Sequence, residues 1–347
     1  KHSYPHEFAN AMAKAGFLGI CYPPAYGGSG LGITEAAIVA QTVAEGGGAN
    51  TGMTSIIHAI FGLHPVVKHG TEEQKRRWLP AMMTRQDRSC FGVTEPNAGL
   101  DTTHLSTFAE RRGDTYYVRG QKIWTSGAQQ ATKIMLLART KKLAETKRPI
   151  DGLSIFFTDL DRRYVEIREI AKMGRHGSDS NQVFFNDLPV PKDDLIGEEG
   201  RGFHYLLDGL NPERILNAAG LIGTGIAALR RATQYAKERI VFDRPIGKNQ
   251  AIQHPLADSW CQLEAAMLTN FKAAELYDKG QSCGHLCNAA KHLAAEAAFK
   301  ACERAVMSLG GMGYAKEFHV ERYYREVWVM RIGPVTSHMI LNYIGER

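Results

Sequence analysis

Apolar and small residues recur at helical spacing through the first part of the chain. Residues 7–16 carry Phe8 and Met12, with Phe17 just beyond, and 34–44 and 50–69 are longer stretches of the same texture. Thr71-Glu-Glu-Gln74 has the capping-box pattern, in which the hydroxyl accepts from the third helical N–H and the amide side chain reaches back. A helix is therefore expected to start there. Near Cys90 the pattern shortens. Residues 107–111, a turn at Arg112-Gly-Asp114, and 115–124 with Tyr116, Val118 and Ile123 predict a hairpin. Residues 134–138, 153–158, 164–167 and 182–185 predict further strands, and Pro189-Val-Pro191 and Gly197-Glu-Glu-Gly200 close this part. From Gly202 the helical period returns, with Ile215, Ala219, Ile222, Ile226 and Leu229 on one stripe. Leu256, Trp260, Leu263, Met267 and Phe271 form a second stripe. Residues 289–309 form an Ala-rich third helix, stopped by Gly310-Gly311. The Met and aromatic residues on these stripes are expected in the core. The order predicts an α+β chain with a helical domain over 1–89, a β domain over 90–200 and a helical bundle over 201–347.

Composition narrows the class. A chain of 347 residues is long enough for two or three domains, and 44% apolar with 22% charged residues is ordinary for a soluble globular protein. No apolar run reaches the ~18 residues of a membrane span, so none is expected. The net charge of +6 comes without a long Lys/Arg block. A nucleic-acid partner is therefore not expected, and the excess suits the phosphates of nucleotide ligands. The first residues show no secretory pattern and no initiator Met, so an N-terminal segment is expected to be missing. A reducing location is expected, the cytoplasm or the mitochondrial matrix. The six cysteines lack paired CxxC spacing and read as free thiols. Cys283, His285, Cys287 and His292 crowd together but match no standard zinc spacing, so no metal is expected.

Several segments carry candidate chemistry. Phe91-Gly-Val-Thr-Glu-Pro-Asn-Ala-Gly-Leu-Asp101 combines a hydroxyl, turn formers and small residues. By itself it fits an ordinary connecting loop or a backbone brought close to a planar polar ring. Gln121-Lys-Ile-Trp-Thr-Ser126 offers Trp124 as a half-buried strand aromatic or a stacking surface. Gly310-Gly311 reads as a helix cap or as backbone open to a phosphate. Asn211-Pro-Glu-Arg214 reads as a helix start, with Asn211 as cap, Pro212 in the first turn and an acid favoured by the helix dipole.

Taken together, at this spacing and with Gly310-Gly-Met-Gly-Tyr314, these segments resemble the acyl-CoA dehydrogenase family of flavoproteins over nearly the whole chain. The resemblance implies an N-terminal helical domain, a central β-barrel-like domain and a C-terminal four-helix bundle. It also implies FAD between the β domain and the C-terminal helices, and a homotetramer. It places Phe91, Val93, Thr94, Trp124 and Ser126 against the flavin ring. Arg239, Phe242, Gln250, Gly310, Gly311, Thr336, Ser337 and His338 take the phosphate and adenosine side. Leu100 stands where a CoA-contacting Ser is usual, Met307 where Gln is usual, and His176 where Arg is usual, with Arg175 one residue early.

The implied reaction is α,β-dehydrogenation of an acyl-CoA thioester, with electrons passed to an electron-transfer flavoprotein. A carboxylate in an apolar pocket suits the base. The family's C-terminal base position falls on Pro334, which has no acid, and its Gly neighbour is Val335. Proline also lacks the N–H that usually donates to the thioester oxygen. The second base position, used in isovaleryl-CoA and long-chain acyl-CoA dehydrogenases, falls on Glu213 of Leu210-Asn-Pro-Glu-Arg214. Glu213 is therefore the expected base, with Arg214 orienting it and Asn211 near CoA. These departures cluster near the substrate and point to an unusual acyl group. The same resemblance leaves open an acyl-CoA oxidase, or a flavin-binding, DNA-associated relative without dehydrogenase chemistry. Chain length, branching and ring content of the acyl group are not legible in the residues.

Overall fold

In the computed structural model, which describes residues 4–346, the helical first part comprises α1 (His6–Lys14), α2 (Ile33–Val43), α3 (Ala49–Phe61), α4 (His64–His69) and α5 (Glu72–Met83). The expected single stretch over 50–69 is two helices, because Pro65 lacks a helical N–H and sits in the first turn of α4. The capping box forms at the head of α5: the Gln74 N–H donates to Thr71 Oγ1 at 3.2 Å, and the Thr71 N–H donates to Gln74 Oε1 at 2.9 Å. Such a cap stabilises a helix by about 1 kcal/mol.

The β region comprises β1 (Ser89–Gly92), β2 (Phe108–Arg112), β3 (Thr115–Ser126), β4 (Lys133–Arg139), β5 (Leu153–Asp159), β6 (Val165–Glu169) and β7 (Ser180–Pro191). They form one curled, mostly antiparallel sheet in the order β1-β4-β2-β3-β7-β6, with β5 on β4. The predicted hairpin is present, Ala109 facing Val118. β7 runs further than expected, through Pro189 and Pro191, which face Tyr117 and Thr115 of β3. β6 pairs only as far as Phe185, so these prolines lie where β7 has a free edge and no ladder N–H is needed. Gly120 has φ +137°, and a Cβ there would lie 2.7 Å from the Thr107 backbone. Glycine lets β3 shift register at this crowded point.

The C-terminal part comprises α6 (Gly202–Glu238), the short hairpin β8 (Ile240–Val241) and β9 (Arg244–Pro245), α7 (Gln250–Asp278) and α8 (Gly284–Leu309). After these come α9 (Gly311–Tyr314), α10 (Val320–Val327), α11 (Val329–Ile332) and α12 (Ser337–Gly345). α6 starts well before Asn211, which is therefore no helix cap; Pro212 lies buried inside it. Ile215, Ala219, Ile222 and Leu229 are buried as the period predicts. On α7 the inward face is Leu256, Ser259, Leu263, Ala266, Asn270, Ala273 and Ala274, whereas Trp260 faces outward. Small residues on this face let the helix approach α8, whose inward face is itself rich in Ala.

The chain divides into two compact units. One takes the chain up to Leu31, Ser55–Lys172 and His176–Leu210; the other takes Gly32–Thr54, Met173–Arg175 and the chain from Asn211 on. The first is built on two apolar clusters, one of them joining Trp78 to Phe157 edge to face at 5.0 Å. The second has its core among α6, α7, α8 and α10. Within it, Asp278 at the end of α7 accepts from the N–H groups of Ile33 and Thr34, at 2.7 and 3.0 Å, and so caps α2. Among the described residues no helix is long and apolar enough to cross a membrane.

Candidate active site

Within the first unit, β1 and the end of β3 lie side by side. The Ile123 N–H donates to the Thr94 carbonyl at 2.9 Å, which joins the segment just after β1 to the stretch of β3 just before Trp124. A buried ion pair holds this junction. Lys122 donates to the Val93 carbonyl at 3.0 Å and to Glu95 Oε1 at 2.8 Å. Glu95 also accepts from the Ser106 N–H at 2.7 Å, the Ser106 hydroxyl at 2.8 Å and the Thr107 N–H at 2.9 Å. Burial disfavours its charge, but the Lys122 ammonium and these donors outweigh that and hold the carboxyl down at about 2. Burial lowers Lys122 to about 8 against the pull of Glu95, so both are charged at neutral pH. Glu95 and Lys122 sit inside the quoted motifs, which by themselves assign them no role. The signal was present, since Lys122 continues the inward alternation of Tyr116 and Val118.

Trp124 has φ +62° and is 56% exposed. A bulky residue in the left-handed region costs about 1–3 kcal/mol and persists where the surroundings impose it. Here an indole face is presented outward next to Thr94. The neighbouring Thr125 hydroxyl is buried without a partner. Leu100 lies exposed on the loop that follows.

Within the second unit, Asn211, Glu213 and Arg214 share α6. Arg214 donates to Asn211 Oδ1 at 3.2 Å, and its buried Nε has no partner. The Glu213 side chain keeps some accessible surface, yet the atoms packed around its carboxyl displace water. This pushes it up to about 7 against the opposing Arg214 and Lys291 charges. Among the described residues nothing donates to its carboxylate. Lys291 of α8 is fully buried and donates to the carbonyls of Met330 and Val335, at 2.5 and 2.8 Å. Burial lowers it to about 8, with Glu213 opposing. These bonds bring the 330–335 segment, with exposed Pro334 and half-buried Val335, onto α8. The peptide before Pro334 is cis. No sequence motif marks Lys291; its signal in the chain is a cation on the face shared with Cys287, Ala294 and Ala298. Arg175, φ +57°, donates to Thr54 Oγ1 at 2.9 Å.

The other expected positions of this unit lie on separate elements. Arg239 is exposed just past α6. Phe242 (φ +49°) and Asp243 (φ +60°) form the tip of the β8–β9 hairpin, with Phe242 94% exposed. Gln250 opens α7 and is exposed. Gly310 has φ +58°, and neither it nor Gly311 has an atom within 4 Å of an added Cβ, so the backbone there is open. Met307 is exposed nearby in sequence. Thr336 caps α12, its hydroxyl accepting from the Met339 N–H at 3.3 Å; His338 is exposed. The buried Ser337 hydroxyl has no partner. Displayed aromatics, unpartnered hydroxyls and open glycine backbone suit a group that has a planar ring and phosphates, as FAD does.

Comparison with known proteins agrees. Residues 1–86, 90–188 and 200–347 match the family models for the N-terminal, middle and C-terminal domains of acyl-CoA dehydrogenase. The chain is 37% identical over 350 residues to the acyl-CoA dehydrogenase FadE12 of Mycobacterium tuberculosis, covering 100% of this chain and 88% of that protein. It is 32% identical over 340 residues to the mitochondrial short-chain specific acyl-CoA dehydrogenase of Homo sapiens, covering 98% and 81%. Among solved structures, butyryl-CoA dehydrogenase from Megasphaera elsdenii is similar with a TM-score of 0.94 and 29% identity, covering 99% and 90%. The chain thus belongs to the acyl-CoA dehydrogenase family and is an FAD-dependent oxidoreductase of that family.

Proposed function

We propose that Glu213 is the base of an acyl-CoA dehydrogenation, taking the α-proton of the thioester on a carboxylate oxygen. The observation that carries this reading is the state of its carboxyl: crowded by protein, accepting from no donor among the described residues, and held near 7. A carboxylate so placed is half ionised near neutrality and has no partner to release before it accepts a proton. Arg214, anchored on Asn211 at 3.2 Å, orients the acyl group from the next position on the helix. Pro334 supplies no N–H to a thioester oxygen, so that oxygen must take its donors elsewhere.

FAD, when bound, supplies the acceptor for the hydride that leaves the β-carbon. In the first unit Phe91, Val93, Thr94 and Ser126 would hold its ring, and the exposed Trp124, whose left-handed backbone the surroundings impose, would offer its indole face to it. In the second unit Arg239, Phe242, Gln250, Gly310, Gly311, Thr336, Ser337 and His338 hold the phosphate and adenosine part. An electron-transfer flavoprotein is the proposed acceptor of the electrons, and Leu100 and Val335 border the CoA thioester.

The test is an anaerobic titration of the FAD-loaded protein with straight-chain, branched and aromatic acyl-CoAs, followed by flavin absorbance. Bleaching by one class, lost in Glu213→Gln while FAD stays bound, is the expected result. Undiminished bleaching in Glu213→Gln overturns the assignment. Slow reoxidation of the bleached protein in air is expected of a dehydrogenase; fast reoxidation marks an oxidase.

A further inference from the structure

Near its end, β3 carries one residue more than the strand it pairs with. Lys122 faces Val183 and Thr125 faces Asn181, so three steps along β3 match two along β7. The extra residue lies between them, where Trp124 takes φ +62°. In a regular strand, with side chains alternating between faces, Trp124 would share the buried face of Lys122 and Thr125 would point out. The bulge reverses this: Trp124 is 56% exposed, and Thr125 is 1% exposed. The stretch before the bulge is held by the bonds to the Thr94 and Val93 carbonyls. The stretch after it is held by one side chain of β7. Asn181, fully buried, donates from Nδ2 to the Thr125 carbonyl at 2.9 Å and to Asp179 Oδ2 at 2.6 Å. Its Oδ1 accepts from Gln129 Nε2 at 3.2 Å. Both amide protons and the amide oxygen are thus in use. Asp179 Oδ2 accepts in addition from the Gln129 N–H, and the Asp179 carbonyl from the Gly127 N–H, both at 3.0 Å. The grip on Thr125 is therefore tied into the turn that follows β3.

We propose that Asn181 is a positioning residue for the flavin: by holding the Thr125 carbonyl it fixes the bulge that turns the Trp124 indole to the surface. The inference rests on the reading in which that indole meets the flavin ring. A backbone N–H of β7 is directed by its own strand and serves a regular ladder. A side-chain amide reaches a carbonyl that the extra residue has displaced, and here it does so from the position directly paired with that residue. Removing the amide leaves a buried carbonyl and the Asp179 carboxylate each short of a donor, so the arrangement that forces Trp124 into the left-handed region is released.

The test uses the full chain loaded with FAD and compares the parent, Asn181→Ala, Trp124→Gly and the double variant. Glycine at 124 accepts the bulge without strain and carries no stacking face. FAD release is followed by the recovery of flavin fluorescence on dilution. Asn181→Ala is expected to speed release about tenfold, since a buried hydrogen-bond network is broken. Trp124→Gly is expected to speed it by a similar factor, and the double variant to be within about twofold of Trp124→Gly, because two changes that act through one indole are not additive. Amide exchange across residues 123–127 is expected to rise about tenfold in Asn181→Ala, with or without the indole. If Asn181→Ala does not accumulate, Asn181→Leu fills the space without a donor, and the same changes are expected. Unchanged exchange at 123–127 in a folded variant without the amide overturns the proposal. So does an equal speeding of FAD release by Asn181→Ala whether residue 124 is Trp or Gly, which marks a general structural role. Release from Trp124→Gly at the parent's rate overturns the flavin reading of Trp124 itself. That outcome is separate, because the exchange measurement reports the hold on the bulge whatever the indole meets.

Discussion

Glu95 and Glu213 are both crowded glutamates near a lysine, and their environments drive them in opposite directions. Glu95 lies in the sheet unit, bonded directly to Lys122 and to Ser106 and Thr107, and its carboxyl is held at about 2. Glu213 lies on a helix of the other unit, with no donor on its carboxylate among the described residues, and its carboxyl stands at about 7. Burial raises both; for Glu95 the charge of the directly bonded Lys122, with the hydrogen bonds to the ionised form, outweighs it. A saturated carboxylate is a structural cross-link, and an unsaturated one is available for chemistry. The nearby lysines differ in the same way, since Lys122 spends a bond on its acid and Lys291 spends its bonds on backbone.

The largest expected effect separates the two acids by function. Glu213→Gln should lower the rate of flavin reduction by about 10²–10⁴-fold, the usual contribution of general base catalysis, with FAD content unchanged. Glu95→Gln should leave the chemical step near its original rate once the protein is folded. Stopped-flow bleaching of each variant by the same acyl-CoA checks both.

Stability should sort them the other way. Lys122→Met leaves the Glu95 charge buried and unpaired, and should cost about 3–5 kcal/mol in denaturant unfolding. Adding Glu95→Gln should recover part of that loss, because the remaining group is neutral.

Opposite pH slopes should follow. The folded Glu95 carboxyl lies below its unfolded value, so its contribution is present above about pH 4.5 and is lost as pH falls toward 2. The folded Glu213 carboxyl lies above its unfolded value, so its contribution is full below about pH 4.5 and is lost as pH rises through 7. Each is worth on the order of 3 kcal/mol over its window. Urea unfolding of the parent, Glu95→Gln and Glu213→Gln between pH 3 and 8 reads the two slopes apart. Activity, in contrast, should rise through about pH 7 as Glu213 ionises.

The smallest expected effect concerns the exposed aromatic beside Thr94. Asn accepts the left-handed backbone more readily than Trp, so Trp124→Asn should stabilise the FAD-free protein by about 1 kcal/mol. It should also weaken FAD retention by removing the stacking face. Thermal unfolding of the stripped protein and fluorescence titration with FAD measure the two halves.

Much of the architecture was legible in the residues because local rules carried it. Periods of 3.6 and 2 separated helices from strands, Thr71 and Gln74 announced α5, and the motifs around Thr94, Trp124 and Glu213 carried the family resemblance. Local rules misled where distant packing overrode them. Asn211-Pro-Glu reads as a helix start, yet α6 is already under way from Gly202, because the helix is held by its buried face on both sides of Pro212. Trp260 continues an apolar period, yet the face that packs is the small-residue one turned away from it. Gly32, at the head of α2, has no side chain to cap the N–H groups of Ile33 and Thr34, and Asp278, remote in the chain, accepts from both.

By itself the sequence determined the order of elements, the family and the candidate acid. Those depend on residue type and spacing, which need no partner to be read. The tertiary structure alone decided which donors reach each buried charge. Whether a glutamate is a cross-link or a base depends on how many donors reach it and how much water is left, and both are set by residues far away in sequence. Lys122 and Lys291 are each a single lysine on a buried face in the chain. Only the fold gives one a carboxylate and the other two carbonyls, because hydrogen bonds act over about 3 Å and sequence distance says nothing about which acceptor is brought within that range.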